Sequence, residues 1–139
     1  MKTTFFSIAL LLVLNACNQA ETVNPASTSE VTLAYQKSVR LAGTALDMKV
    51  AQVADSRCPI NARCITAGAV TVSFEASNDG KTELVTVELP AYPEKSTQKS
   101  FSVAGQAYQL TLREVLPYPE VGKTIELNDY TVEFSVSKQ

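Results

Sequence analysis

The chain contains no histidine and no tryptophan. Without imidazole there is no Ser-His-Asp or Cys-His catalysis, no His-ligated metal and no histidine pH sensor. Runs of lysine or arginine are missing too: 12 basic against 14 acidic residues leave a net charge of −2. Removing a leader that contains Lys2 makes it −3. Such a balance offers nucleic acid no electrostatic footprint, so no nucleic-acid partner is expected. Charged residues are only 19% of the chain and apolar residues 45%, a composition that folds rather than staying disordered. With 139 residues, one core is the expectation.

No apolar run approaches the roughly 20 residues that a membrane-spanning helix needs. The longest extends from Phe5 to Leu14 and follows Lys2, which is the layout of a secretory leader. The next residues, Leu14-Asn15-Ala16-Cys17, resemble the lipobox of bacterial lipoproteins, with Asn15 where a small or hydroxylated residue is commoner. The resemblance implies that residues 1–16 are cleaved off and that Cys17 carries a diacylglyceryl group, usually with an acylated amine. Two or more chains make membrane attachment effectively permanent, whereas one gives marginal binding. The competing expectation is an ordinary secretory leader with Cys17 incidental. Asn18 in place of Asp points, by the family's sorting rule, to the outer membrane of a cell envelope that has one. Residues 17–30 then read as lipidated cysteine and flexible tether, and residues 31–139 as the folded domain.

Three cysteines are few and odd in number. Assigning Cys17 to lipid leaves Cys58 and Cys64, a pair expected to oxidise in an exported protein. A bridge across Pro59-Ile60-Asn61-Ala62-Arg63 is worth roughly 2 kcal/mol by loop closure and mainly fixes the shape of a loop. Metal ligation by the pair lacks partners, since no histidine or further cysteine remains, and redox chemistry usually employs Cys-x-x-Cys. Neither a metal nor a cofactor is expected.

From Val31 onward the apolar period is two, not 3.6. Tyr130, Val132, Phe134 and Val136 alternate with Thr131, Glu133 and Ser135, and similar alternation occupies 46–53, 69–76, 82–89 and 106–116. Phe101 and Val103 mark a shorter strand, with weaker candidates at 31–35, 38–42 and 124–127. Asn78-Asp79-Gly80 suits a primed hairpin turn, and turn signals recur every 8–12 residues. The expectation is all-β: a two-sheet antiparallel, immunoglobulin-like sandwich of seven to nine strands, with a small barrel as alternative.

The least strand-like stretch is Asp55-Ser56-Arg57-Cys58-Pro59, then Cys64-Ile65-Thr66-Ala67-Gly68. It resembles a family of small bacterial lipoproteins and secreted proteins carrying Asp-Ser-Arg-Cys-Pro and then Cys-x-aromatic-Ala-Gly ahead of a strand, with Thr66 here at the aromatic position. The resemblance implies a β-domain and an exported address, and no activity. Physically, Asp55 and Ser56 can fix a turn by accepting backbone N–H groups, with Gly68 as turn residue. Arg57 can grip Asp55 or loop carbonyls through its planar fork, or else stand exposed with Arg63 as a ligand contact. Two further loops, Leu89-Pro90-Ala91-Tyr92-Pro93-Glu94 and Leu116-Pro117-Tyr118-Pro119-Glu120, end strands with proline, which cannot donate to a ladder. If strands alternate in direction, these two loops and the Cys loop emerge at one end. Arg57, Arg63, Tyr92 and Tyr118 would then form a binding rim.

The functional expectation is a membrane-anchored envelope module without catalysis, held by lipid on Cys17 and engaging a protein or glycan. Two rivals stand beside it. One is a protease-inhibitor-like module using the disulfide-closed loop, the other a hydrolase with two carboxylates across a cleft.

Overall fold

Alternation in the sequence becomes two facing sheets in the computed structural model, which describes residues 28–91 and 96–139. The strands are β1 (Ser29–Ala34), β2 (Ser38–Arg40), β3 (Asp47–Asp55), β4 (Ala69–Asn78), β5 (Lys81–Pro90), β6 (Thr97–Val103), β7 (Gln106–Leu116) and β8 (Thr131–Lys138). One antiparallel sheet has the order β1-β8-β7-β6 and the other β2-β3-β4-β5. The expected sandwich is therefore present, open rather than closed into a barrel. Its connectivity departs from the immunoglobulin order, in which strands A, B, E and D share one sheet and C, F and G the other. Here β2 to β5 form one meander, β6 to β8 a second, and β1 returns beside β8.

Residues 124–127, expected as a weak strand, are not one. Leu127–Asp129 is a short 3-10 turn, because the Glu126 N–H donates to Asp129 Oδ2 at 2.9 Å and closes the backbone locally. β1 starts at Ser29, inside the stretch read as tether.

Every inward position of β4 (Val70, Val72, Phe74, Ala76) and of β8 (Val132, Phe134, Val136) is buried. Phe74 and Phe134 meet across the interface with ring centroids 4.8 Å apart, a favourable tilted pair at the centre of the core. The β4–β5 hairpin turns on Asp79 (φ 48°) and Gly80 (φ 71°), the two positive angles of a type I′ turn.

Two β-bulges shift the alternation. In β3 the register slips between Val50 and Gln52, and in β7 between Leu112 and Glu114. An extra residue changes which parity faces inward. Before its bulge β3 buries Leu46, Met48 and Val50 just ahead of and within the strand, and afterwards it buries Val53. The odd numbers that follow Val53 on the inner face are Asp55 and Arg57. The bulge in β3 thus turns the two charged residues of the motif into the gap between the sheets.

Candidate functional site: the Cys-loop pole

Three connections emerge at one end of the sandwich: residues 56–68 between β3 and β4, the segment after β5, and residues 117–130 between β7 and β8. At their centre lies a buried ion pair. The side chains of Arg57 and Asp55 are 3% and 4% exposed. Arg57 Nε donates to Asp55 Oδ1 at 2.9 Å and Nη2 to Oδ2 at 2.6 Å, the bidentate fork that matches a carboxylate. The Arg57 backbone N–H adds a third bond to Oδ1 at 3.0 Å, and the Tyr130 hydroxyl donates to Oδ2 at 3.2 Å. Those four bonds fill the lone-pair sites of the carboxylate.

The remaining face of the guanidinium reaches the opposite sheet. Nη1 donates to the Val115 carbonyl at 2.8 Å and Nη2 to the Pro117 carbonyl at 3.0 Å, just past the cis Leu116–Pro117 bond. The Tyr118 ring lies over the guanidinium, 4.5 Å from its carbon to the ring centroid, a desolvated cation–π contact. Arg57 therefore joins β3 to the end of β7. Burial and Asp55, chiefly burial, push the Tyr130 phenol above its ordinary pKa, since both disfavour a phenolate there.

The loop is zipped at its base. The Ser56 N–H donates to the Ala69 carbonyl at 2.9 Å and the Cys58 N–H to the Ala67 carbonyl at 2.8 Å, while Ser56 Oγ also donates to the Ala69 carbonyl at 2.9 Å. Gly68 has φ +72°, and a Cβ there would lie 1.9 Å from the Ser56 carbonyl oxygen. Both facts demand glycine. Cys58 and Cys64 are bonded, with Cα atoms 5.9 Å apart.

All three connections are tied together. The Ile60 N–H donates to the Pro119 carbonyl at 2.9 Å, and the Ala91 N–H to the Gly68 carbonyl at 3.0 Å. The Val121 N–H donates to Asn61 Oδ1 at 2.7 Å. The Cys loop and residues 117–130 thus gather at one end, as expected from alternating strand directions, with Ala91 at the start of the third connection beside them, while residues 92–95 of that connection lie outside the described residues.

Its surface chemistry differs from the expected rim. Arg57 is buried, 6% exposed, with its donors turned to protein acceptors, so it is no surface contact. Tyr118 stays at the surface, its face on Arg57 and its hydroxyl donating to Glu114 Oε1 at 3.3 Å. Arg63 is exposed. Tyr92 and Cys17 lie outside the described residues. Sequence reasoning missed the apolar tips, Ile60, Ile65 (106% exposed) and Val121. Their signal was an isoleucine or valine in a segment without period, which pattern alone does not separate from core.

Among the described residues no group of three or more potential metal-ligating side chains comes together, and no helix is long and apolar enough to cross a membrane. Glu30 and Glu133 do flank one shallow groove of about 150 Å³, but Glu30 is 67% exposed and ion-paired to Arg113 at 2.8 Å. Set against protein-family models, curated proteins and solved structures, the chain finds no match, so the reading of this pole rests on its own geometry.

Proposed function

We propose that the chain is a lipid-anchored protein of the bacterial cell envelope, attached through acylated Cys17, whose β-sandwich works as a non-catalytic binding module with the Cys-loop pole as its recognition end. Kinship with the small lipoproteins that carry Asp-Ser-Arg-Cys-Pro belongs to this proposal, as does an outer-membrane address. The observation that carries it is the pole itself: three connections hydrogen-bonded into one rim, stapled from below by Arg57 and presenting apolar side chains to solvent. A rim ordered before binding loses little conformational entropy on meeting a partner.

The test is the intact mass of the protein taken from a membrane fraction, with and without reduction. The expected result is a mature chain beginning at Cys17 plus acyl chains, gaining two hydrogens on reduction. An unlipidated mass overturns the anchor.

One observation favours a second reading: Arg63 and Ile65 flank Cys64 on a loop whose shape the disulfide holds, and both are exposed. That is how a substrate-like peptide enters a protease cleft. Inhibition of a trypsin-like protease by the oxidised protein, lost on reduction, supports this reading, and no inhibition removes it.

A further inference from the structure

We infer that the Cys-loop pole docks a protein that brings an apolar anchor ringed by lysine or arginine, on the side of the domain turned away from the membrane. The membrane clause rests on the lipid anchor proposed above, and the docking clause does not.

Apolar exposure is concentrated there. Ile60, Ile65, Leu116, Tyr118, Val121 and Leu127 are exposed on these connections or at the strand end beside them, and Leu84 on β5 is the remaining large hydrophobic exposed among the described residues. Ile60 and Val121 belong to loops that hydrogen-bond to each other. Ile60 and Val121 are therefore neighbours on one rim, and such a gathering of apolar side chains at one end of a domain marks an interaction site. Nothing inside the domain requires it: the core beneath is already closed by Val115, Tyr130 and the Arg57–Asp55 pair.

Charge selects the partner. On the two long connections and the strand end beside them stand Glu114, Glu120, Glu126 and Asp129 against Arg63, Arg113 and Lys123, and Lys123 is neutralised by Glu120 at 2.6 Å and Arg113 by Glu30 at 2.8 Å. Glu114 also lies in register with Glu133 on β8, two like charges on one patch of sheet, with Arg113 beside Glu133 and already paired to Glu30. A basic partner gains from this field. An anionic lipid surface is repelled by it, and a second copy would set acidic rim against acidic rim.

Geometry sets the side. β1 begins with Ser29 opposite Val136, whereas Ala34 lies opposite Thr131 at the loop pole. The N-terminal segment thus joins the domain at the far pole, next to the β4–β5 and β6–β7 turns. An anchored chain therefore has that pole nearest its tether and the apolar rim at the opposite end of the domain.

The probe is a phage-displayed random peptide library panned on the mature protein purified from membranes, with winning peptides titrated against variants. The expected peptides combine an aromatic or large aliphatic residue with lysine or arginine. Their affinity falls about tenfold or more for Ile65→Ser and for Val121→Ser, weakens with added salt, and is unchanged for Leu84→Ser. Both substituted residues are exposed, so an unaltered thermal midpoint excludes misfolding as the cause. The proposal is overturned by no enrichment, by acidic winners, or by peptides indifferent to those substitutions. It is equally overturned if Cys17→Ser protein floats with phosphatidylglycerol vesicles, or dimerises in sedimentation, in an Ile65-dependent way. A mass without acyl chains, by contrast, removes only the orientation.

Discussion

Arg57 serves the fold at the residue scale, and its burial makes the cost of altering it large. Removing one partner of a buried pair strands the other charge, at about 3–5 kcal/mol, so Arg57→Ala is expected to lower the urea-unfolding free energy by that amount. Arg57→Lys retains the charge but loses the fork and the reach to Val115 and Pro117, and should fall between Arg57→Ala and the parent. Equal stability of all three proteins would show that the staple contributes nothing. Gly68→Ala meets both a positive φ and a 1.9 Å approach to Ser56, and should cost more than about 2 kcal/mol. Tyr130 gives the pH dependence. Its folded pKa is raised, so the folded state holds the proton more tightly than the unfolded chain. The resulting stability is complete below the ordinary phenol value of about 10 and is lost as pH climbs through the folded value. Urea midpoints should stay flat from pH 8 to about 10 and then fall, and Tyr130→Phe should flatten that decline. A midpoint indifferent to pH 11 would contradict the assignment.

At the scale of elements, the Cys loop lies outside both sheets, so reduction should soften it without unfolding the sandwich. A loss of roughly 2 kcal/mol is expected, seen as a lower melting temperature with the far-ultraviolet strand signal retained below it. Collapse of the strand signal on reduction would mean that the bridge holds the sheets themselves. The β6–β7 turn places Ala104 at φ 52° beside Gly105, an angle that asparagine adopts at lower cost than alanine. Ala104→Asn should therefore stabilise by about 0.5–1 kcal/mol in denaturant titration.

For the whole molecule, the two ends of the sandwich are built differently. The far pole carries the two-residue β4–β5 and β6–β7 hairpins, the six-residue connection from β2 to β3 and a weak Asn78 Nδ2 to Tyr108 hydroxyl bond of 3.4 Å between the sheets. The loop pole is closed by a bidentate ion pair and carries long connections. Topology accounts for one part of this asymmetry: an even number of alternating strands returns both chain ends to the same pole. Lipid on Cys17 would convert it into an orientation.

Much of this was legible in the chain. Alternation of apolar residues from Val31 marked the main strands and their inward faces up to each bulge, because a half-buried strand has a period of two. Asp79-Gly80 determined a hairpin, and the proline-terminated strands determined where loops gather. The parity switch was not legible: bulges at 50–52 and 112–114 arise from pairing between strands, and no local pattern announces them. The grip of Arg57 on Asp55 and on carbonyls was one of the two readings its planar fork allowed, and it is the one found; its depth of burial, which removes it from the binding rim, followed from the parity switch. Tertiary structure alone decided that the motif's charges face inward and the isoleucines outward, since burial depends on what packs from the other side of the gap.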